Sequence, residues 1–367
     1  MNVDVFGCHK PSTRGMPILS LAMSLLLVLL FPLTAVANEY DQAKRIHQRL
    51  AGVPPEASVL STMAGHIKNN NGSLATAIAM DNDGFYNVTL KNFITPWTNE
   101  SQTVFADLND YTATVIGLIR DGGDFREILY ADMVYTAQGI ASLPAYSSSN
   151  NDHYEALENG HYSLKTHLQR AKQSAKNNIP ETATAGVMTS RAAAKAFFID
   201  GTNRAMLRFT LMNHLCRDLE AVKDITRSAD RIRQDVSRSP GGDSRIFLNT
   251  CIGCHTGMDP LAQAFAYYDF SYDAQLDEFG DQGQLVYTPR QVQKKYHFNN
   301  ANFAPGFITE DDKWGNYWRQ GQNYLLGWSS SLTGSGNGAK SMGQELSHSD
   351  AFAQCQVEKV FKQVCLR

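Results

Sequence analysis

Two cysteines and a histidine form the most chemically specific pattern in the sequence. Within NTCIGCHTGMDP (residues 249–260), two residues separate Cys251 from Cys254, and His255 follows directly. In an exported protein, Cys-x-x-Cys-His is typical of a covalent attachment site for a c-type haem. Two cysteines within one turn of chain can reach both vinyl groups of the porphyrin, and the next residue then lies under the iron. The sequence therefore predicts thioethers from Cys251 and Cys254, and His255 as the proximal iron ligand.

Three other uses of the motif are weaker. A structural zinc site would need two more ligands at partner spacing, whereas Cys355 and Cys365 lie ten residues apart on one predicted helix. A redox-active dithiol of the thioredoxin type would need a βαβ pattern around the motif, and the sequence has none there. A disulfide between the two motif cysteines would leave His255 without a role. These alternatives leave covalent haem as the best interpretation.

The second axial position of the iron has several candidates. Met258 is anchored to the same side of the ring as the proximal ligand and cannot easily cross to the other. Met342 follows a Gly-rich stretch (327–341) and precedes a predicted final helix. That order is typical of small single-haem cytochromes c, in which a loop methionine caps the iron. We expect Met342 to be the distal ligand; the alternatives are an open position or another ligand, such as His297 or His348.

The first residues indicate the compartment. Lys10 and Arg14 precede an apolar run that ends at Ala35-Val36-Ala37, the pattern of a secretory signal peptide cleaved after Ala37. We therefore expect residues 1–37 to be removed and the protein to be periplasmic or secreted. An uncleaved N-terminal membrane anchor is the alternative. After export the compartment is oxidising, so cysteines can pair or be covalently modified.

Helical spacing of apolar residues dominates the rest of the chain and indicates a mainly α protein. A break at SRSPGGD (237–243) divides it into a predicted α-helical region (38–236) and a cytochrome c-like haem domain (237–367). Loops are expected at 146–160 and in the Gly-rich stretch. Predicted helices cover 40–52, 58–68, two segments within 108–139, two segments within 189–225, about 224–239, and 349–367.

The three cysteines outside the leader and the motif predict one disulfide. Cys355 and Cys365 would lie about 15 Å apart along one continuous helix, which is too far for a bridge. Cys216 on an upstream helix is therefore the expected partner of one of them. We predict the pair Cys216–Cys355, which would connect the N-terminal helical region to the last helix.

The motif segment CIGCHTGMDPLAQAFAYYDF resembles the haem segment of uncharacterised exported bacterial proteins with a planctomycete-type cytochrome c domain. The shared pattern is Cys-x-x-Cys-His, then Asp259-Pro260, then an aromatic–Asp step at Tyr268-Asp269. Patches elsewhere, including 124–136 and 185–216, are also similar. The chain departs from the family by lacking the Gly common after Asp-Pro and the Gly-Arg common at the end. The resemblance implies a c-type haem and redox work.

Two expectations concern the surroundings of the haem. The resemblance to cytochromes implies that the carbonyl of Pro260 accepts the second N–H of the proximal imidazole. The alternative role for Pro260 is a helix or turn breaker. The aromatic stretch KWGNYWRQGQNYLLGW (313–328) suits the wall of a haem pocket, although it could equally be ordinary core.

Composition and motif together lead to one principal functional hypothesis. The formal net charge is −3 and no long basic run occurs, which makes nucleic acid an unexpected partner. We expect an exported monohaem c-type cytochrome that carries single electrons to an unknown redox protein, rather than a catalyst. The alternative is a peroxidase- or oxygenase-like haem enzyme with an open iron position, which the long chain before the motif favours. A third hypothesis is a module whose haem only stabilises the fold.

Overall fold

The computed structural model describes residues 38–365, and the predicted signal peptide at 1–37 lies outside them. The chain is mainly α, as its periodicity predicts, with short 3₁₀ and π turns between many helices. None of the helices described is long and apolar enough to span a membrane. The α-helices are α1 (Glu39–Leu50), α2 (Ala57–Lys68), α3 (Gly72–Asp81), α4 (Lys91–Ile94), α5 (Asp110–Arg120), α6 (Asp152–Asn159), α7 (Leu164–His167), α8 (Gln173–Asn177), α9 (Arg191–Phe197), α10 (Arg204–Leu215), α11 (Leu219–Val222), α12 (Ser244–Ile246), α13 (Ile252–Ala262), α14 (Gly338–Ser347) and α15 (Asp350–Cys365).

Six short strands form three separate two-stranded antiparallel sheets. In the first sheet Val134 pairs with Ala171, in the second Tyr268 pairs with Tyr287, and in the third Trp314 pairs with Gly336. The strands are β1 (Val134–Ala137), β2 (Leu168–Ala171), β3 (Tyr268–Ser271), β4 (Gln284–Tyr287), β5 (Lys313–Gly315) and β6 (Ser335–Asn337). These ribbons connect helices and do not form a continuous sheet.

The first three helices pack around a small core of their own. Its buried members are small residues and one methionine, Met63. The side chain of Asn38 caps α1 by accepting a hydrogen bond from the amide of Asp41 at 2.9 Å. Helix α1 ends before Gly52, whose φ of +72° suits glycine, and before the two prolines that follow. The helices predicted over 40–52 and 58–68 are confirmed.

The main core lies around α5, α10 and α13, and it is continuous across the predicted boundary near 237. It contains Leu118 and Leu211 from before that boundary and Phe265 and Leu346 from after it. Helix α5 is buried along almost its whole length. A Cβ at Gly117 would lie 2.0 Å from the ring of Tyr135, so this glycine lets β1 approach α5 closely.

Three expectations about local structure are wrong. The second helix expected within 108–139 is a 3₁₀ turn (Phe125–Leu129) followed by β1, and the loop expected at 146–160 contains α6. The expected helix at about 224–239 is irregular. Its backbone instead pairs with a distant segment, with the amide of Phe307 bonded to the carbonyl of Ile232 at 2.9 Å. Tertiary contacts here override local helical preference.

The predicted disulfide between Cys216 and Cys355 is present. Cys216 caps the C-terminal end of α10 in the left-handed conformation, with its Cα 5.2 Å from that of Cys355 on α15. The bond closes a segment of 139 residues and joins the two predicted regions. Cys365 remains a free, exposed thiol. Ser349 precedes the last helix and caps it by accepting the amide of Phe352 at 3.2 Å.

Candidate functional site

The three residues of the predicted attachment motif lie on one continuous stretch of helix. A π-helical turn (Phe247–Cys251) runs directly into α13. Side chains three and four residues apart lie on the same side of a helix, so Cys251, Cys254 and His255 share one face. All three are partly exposed, whereas every residue from Thr256 to the end of the helix is buried. The motif face is therefore accessible from outside the core.

The opposite face of α13 is formed by two glycines and is tightly packed. The carbonyl of Gly253 accepts the amide of Asp224 at 2.8 Å. A Cβ at Gly257 would lie 2.0 Å from Nε1 of Trp318, which is fully buried. The hydroxyl of Thr256 donates to the carbonyl of Asp224 at 2.9 Å. These contacts fix the rotation of the helix about its axis and so determine where the motif face points.

The imidazole of His255 is held by a carboxylate one helical turn later. Its Nδ1 lies 3.1 Å from Oδ1 of Asp259, which is buried. A carboxylate can only accept, so Nδ1 carries the proton and donates it to this bond. The lone pair of the neutral ring then lies on Nε2, which has no hydrogen-bond partner among residues 38–365. The side chain is 18 % exposed, so Nε2 can be reached by a metal centre.

The charge of Asp259 is stabilised by two arginines. Arg204 on α10 donates to both carboxylate oxygens, at 2.7 and 3.0 Å. The backbone amide of Arg233 donates to Oδ2 at 3.2 Å, and its guanidinium lies 4.0 Å from Oδ1. Burial opposes ionisation of Asp259, but the charges of Arg204 and Arg233 outweigh it and hold the pKa of this carboxyl well below its usual range. Asp259 is therefore a carboxylate at neutral pH.

A second carboxylate shares Arg204. Asp235 accepts hydrogen bonds from the same guanidinium at 2.6 and 2.8 Å. Its pKa is lowered although burial acts against this, because Arg204 bonds to it directly. Asp235 belongs to the irregular segment after α11, so the pair also attaches that segment to α10. The resulting chain of contacts runs from His255 through Asp259 and Arg204 to Asp235.

Both motif cysteines are free thiols with room for reaction. Cys251 packs at the edge of a small cluster that includes Phe247 and Ile232. Sγ of Cys254 lies 3.7 Å from the carbonyl of Leu219 on α11, and burial raises the pKa of this thiol. Cys254 is therefore protonated at neutral pH, and a thiol is less readily oxidised than a thiolate.

An arginine without a carboxylate partner lies beside the motif. Arg238 stacks on the rings of Phe247 and Phe303, at 4.8 and 4.2 Å from their centroids. Its guanidinium donates to the backbone carbonyls of Val236 and Ile232, at 2.6 and 3.2 Å. No acidic side chain of the described chain pairs with it. Since Cys251 packs against the cluster that contains Phe247, Arg238 could bind an anionic group held on the motif face.

The donor set fits a covalent haem. It offers two thiols and an imidazole nitrogen on one exposed face, the correct tautomer for ligation through Nε2, and an unpaired cation for a propionate. Across residues 38–365, no three His, Cys, Asp or Glu side chains converge as a metal-binding cluster. The spacing of the motif could be recognised from sequence, but the part played by Asp259 and Arg204 was missed. The sequence feature that could have revealed the role of Asp259 is its spacing of four residues from His255, which places the two side chains on one side of a helix.

The expected role of Pro260 is wrong. Its carbonyl is not the partner of His255, because the carboxylate of Asp259 accepts the Nδ1 proton instead. Pro260 lies inside α13, where it removes one backbone donor near the end of the helix. Within the aromatic stretch at 313–328, Trp314 and Trp318 are buried in the main core, with Trp318 on the glycine face of α13. Tyr324 is exposed, and a role of the stretch as pocket wall stays a prediction.

Met342 does not close a loop as expected. It lies within α14 and is fully buried in the main core. Helix α14 packs against the turns Phe125–Leu129 and Gln263–Phe265 and against β6. The second of these turns begins eight residues after His255, about 12 Å further along the helix direction. The contacts described do not bring Met342 to His255, and its role as distal ligand stays a prediction.

No protein-family model matches the chain, and no curated protein or solved structure shows significant similarity to it.

The close packing at Gly257 predicts an unequal response of two glycines to alanine. We expect Gly257→Ala to lower the free energy of unfolding by about 1–3 kcal/mol or more, because its Cβ would overlap Trp318. Gly65 is the matched control, since it is exposed within α2 and a Cβ there meets no atom within 4 Å. Gly65→Ala should be neutral or stabilise by up to about 1 kcal/mol. Denaturant unfolding measures both, and equal stabilities would contradict the packing described.

Proposed function

We propose that the chain is an exported monohaem c-type cytochrome that works in one-electron transfer. The observation that carries the proposal is the His255–Asp259 hydrogen bond, which directs Nδ1 to the carboxylate and keeps Nε2 as the ligating atom of the neutral ring, on the same helical face as two free thiols. The resemblance of residues 251–270 to planctomycete-type cytochrome c domains supports the same function. A bound haem c would supply a one-electron iron couple.

Each motif residue has a separate task in this proposal. The thiols of Cys251 and Cys254 would hold a haem by adding across its two vinyl groups, each forming a carbon–sulfur bond and giving its proton to the neighbouring carbon. His255 would be the residue that ligates the iron, through Nε2. Asp259 fixes the ring orientation through Nδ1 and increases the electron density of the imidazole. Arg238 is a candidate donor for a propionate, because it has no carboxylate partner among residues 38–365 and stacks on Phe247, a member of the cluster against which Cys251 packs.

Covalent attachment is the direct test. Expressed in a host that matures c-type haems and exports the chain, the protein should be red and should carry the mass of one haem after denaturation. Cys251→Ala and Cys254→Ala should each retain one thioether at most, and the double variant should lose covalent haem. Cys365→Ser, which removes a thiol outside the motif, should bind haem normally. A colourless wild-type protein at the mass of the bare polypeptide would overturn the proposal.

The carboxylate under His255 should control the reduction potential. Replacing Asp259 by Asn removes the negative charge from the imidazole, which destabilises the ferric state and raises the potential. The expected rise is about 60–120 mV. For one electron this corresponds to a change of about 10- to 100-fold in an equilibrium constant, the usual effect of removing the hydrogen-bond partner of a metal ligand. Redox titration of the purified holoprotein measures it.

Asp235→Asn is the matched control for Asp259→Asn. It removes a negative charge of the same size that bonds to Arg204, but it leaves the hydrogen bond between His255 and Asp259 intact. Both variants should lose stability, because each leaves a buried arginine with fewer partners. Only Asp259→Asn should shift the potential strongly, and equal shifts would show that general charge rather than the hydrogen bond is responsible.

A haem enzyme with an open iron position is the second candidate function. Two observations favour it: a carboxylate-bound imidazole donates electrons strongly, and Met342 lies inside a core helix rather than on a loop. Such an enzyme would bind small ligands or react with peroxide at the free position. The identity of the sixth ligand separates it from the electron carrier.

Met342→Leu tests the sixth ligand with little disturbance of the core, because the two side chains have similar volumes. We expect the stability to fall by less than about 1.5 kcal/mol, and an unchanged ferric spectrum would show that Met342 only fills the core. Loss of a methionine–iron charge-transfer band in the variant would instead identify Met342 as the ligand and favour the electron carrier. Cyanide binding by the wild-type ferric protein gives an independent reading of an open position.

A further inference from the structure

A large apolar cavity lies between the N-terminal helices and the C-terminal helix, away from the motif. Its volume is about 770 Å³, within the usual range for small-molecule sites. Phe85, Phe93 and Trp97 form one wall, and Val360 and Val364 on α15 form the other. None of these five side chains belongs to α13 or to the segments that contact it.

The cavity opens onto an exposed apolar surface of α15. Val360 and Val364, which line it, are 55 % and 45 % exposed, and the neighbouring Val357 and Phe361 are 71 % and 55 % exposed. Apolar side chains grouped in this way on an exposed protein surface indicate a binding site for an apolar partner or ligand. The surface and the cavity form one continuous region.

The charged side chains of residues 38–365 that line this cavity have one sign. Arg45 and Arg49 lie one turn apart on α1 and both line it, whereas no aspartate or glutamate of the described chain does. Both arginines are exposed, and no carboxylate of residues 38–365 forms an ion pair with either. A concave apolar site with unpaired guanidinium groups at its edge matches a molecule with a long alkyl chain and an anionic head group.

We propose that this cavity binds a fatty acid. The alkyl chain packs against Phe85, Phe93 and Trp97, and the carboxylate pairs with Arg45 and Arg49. A second copy of the chain is the less suitable occupant, because a concave site whose charged lining side chains among residues 38–365 are both cations matches the carboxylate and alkyl chain of a fatty acid. The proposal is independent of haem attachment, since the cavity contains no residue of the motif.

Laurate is a suitable probe, with calorimetry on the delipidated exported protein as the measurement. The double variant Arg45→Glu/Arg49→Glu should weaken laurate binding at least about 10-fold, the value of a lost charge-assisted hydrogen bond. Lys44→Glu is the matched control, because Lys44 is an exposed cation on the same helix that does not line the cavity. It should bind laurate like the wild type, and all variants should unfold at similar temperatures because the substitutions are exposed.

A chemical probe localises the bound molecule. Cys365 lines the cavity and is an exposed free thiol, so laurate should slow its alkylation, measured on the peptide that contains it. Dodecanol, the neutral analogue, should bind more weakly than laurate. The proposal is overturned if laurate does not bind, if dodecanol binds equally well, or if alkylation of Cys365 is unaffected at saturation. It is also overturned if the delipidated protein is a dimer whose interface protects Cys365.

Discussion

The buried carboxylate of Asp259 is the constraint on which the candidate site depends. An ion removed from water costs several kcal/mol unless charges and hydrogen bonds compensate it. Here Arg204 supplies two bonds and Arg233 a third, while His255 donates the fourth. The carboxylate is thus stable only when α10, the segment at 231–235 and α13 are all in place. The orientation of the His255 imidazole therefore depends on the assembly of these three segments.

Helix α13 has two faces with opposite requirements. The glycine face must lie close to its neighbours, because Gly253 bonds to Asp224 through its backbone and Gly257 contacts Trp318. The motif face must remain open for its thiols and imidazole. A helix fixed on one side by backbone contacts cannot rotate, so the other side keeps a constant direction. The glycines thus contribute to the site without touching any reactive group.

The sequence predicts those features of the fold and site that depend on local spacing. The Cys-x-x-Cys-His spacing is enough to place its side chains on one face once the segment is helical. The separation of ten residues between Cys355 and Cys365 on one helix excludes a disulfide between them, which leaves Cys216 as the partner of one of them. Features that depend on distant partners were not predictable. The segment near 224–239 has helical periodicity, but its amides and arginines bond to Phe307 and Asp259 instead. The sequence could not show whether Trp318 lies in the core or in a pocket wall for the same reason, since its burial depends on its contact with the distant Gly257.

The long chain before the motif has a structural reason in this arrangement. Arg204, which holds Asp259, belongs to α10, and the same helix ends at Cys216 in the disulfide to α15. Helix α10 therefore supports the site electrostatically at its start and ties down the C-terminal helix at its end. A chain reduced to residues 237–367 would lose the arginine and leave the carboxylate under His255 without its principal counterion. The helices before the motif thus help to hold the carboxylate that orients the imidazole of His255.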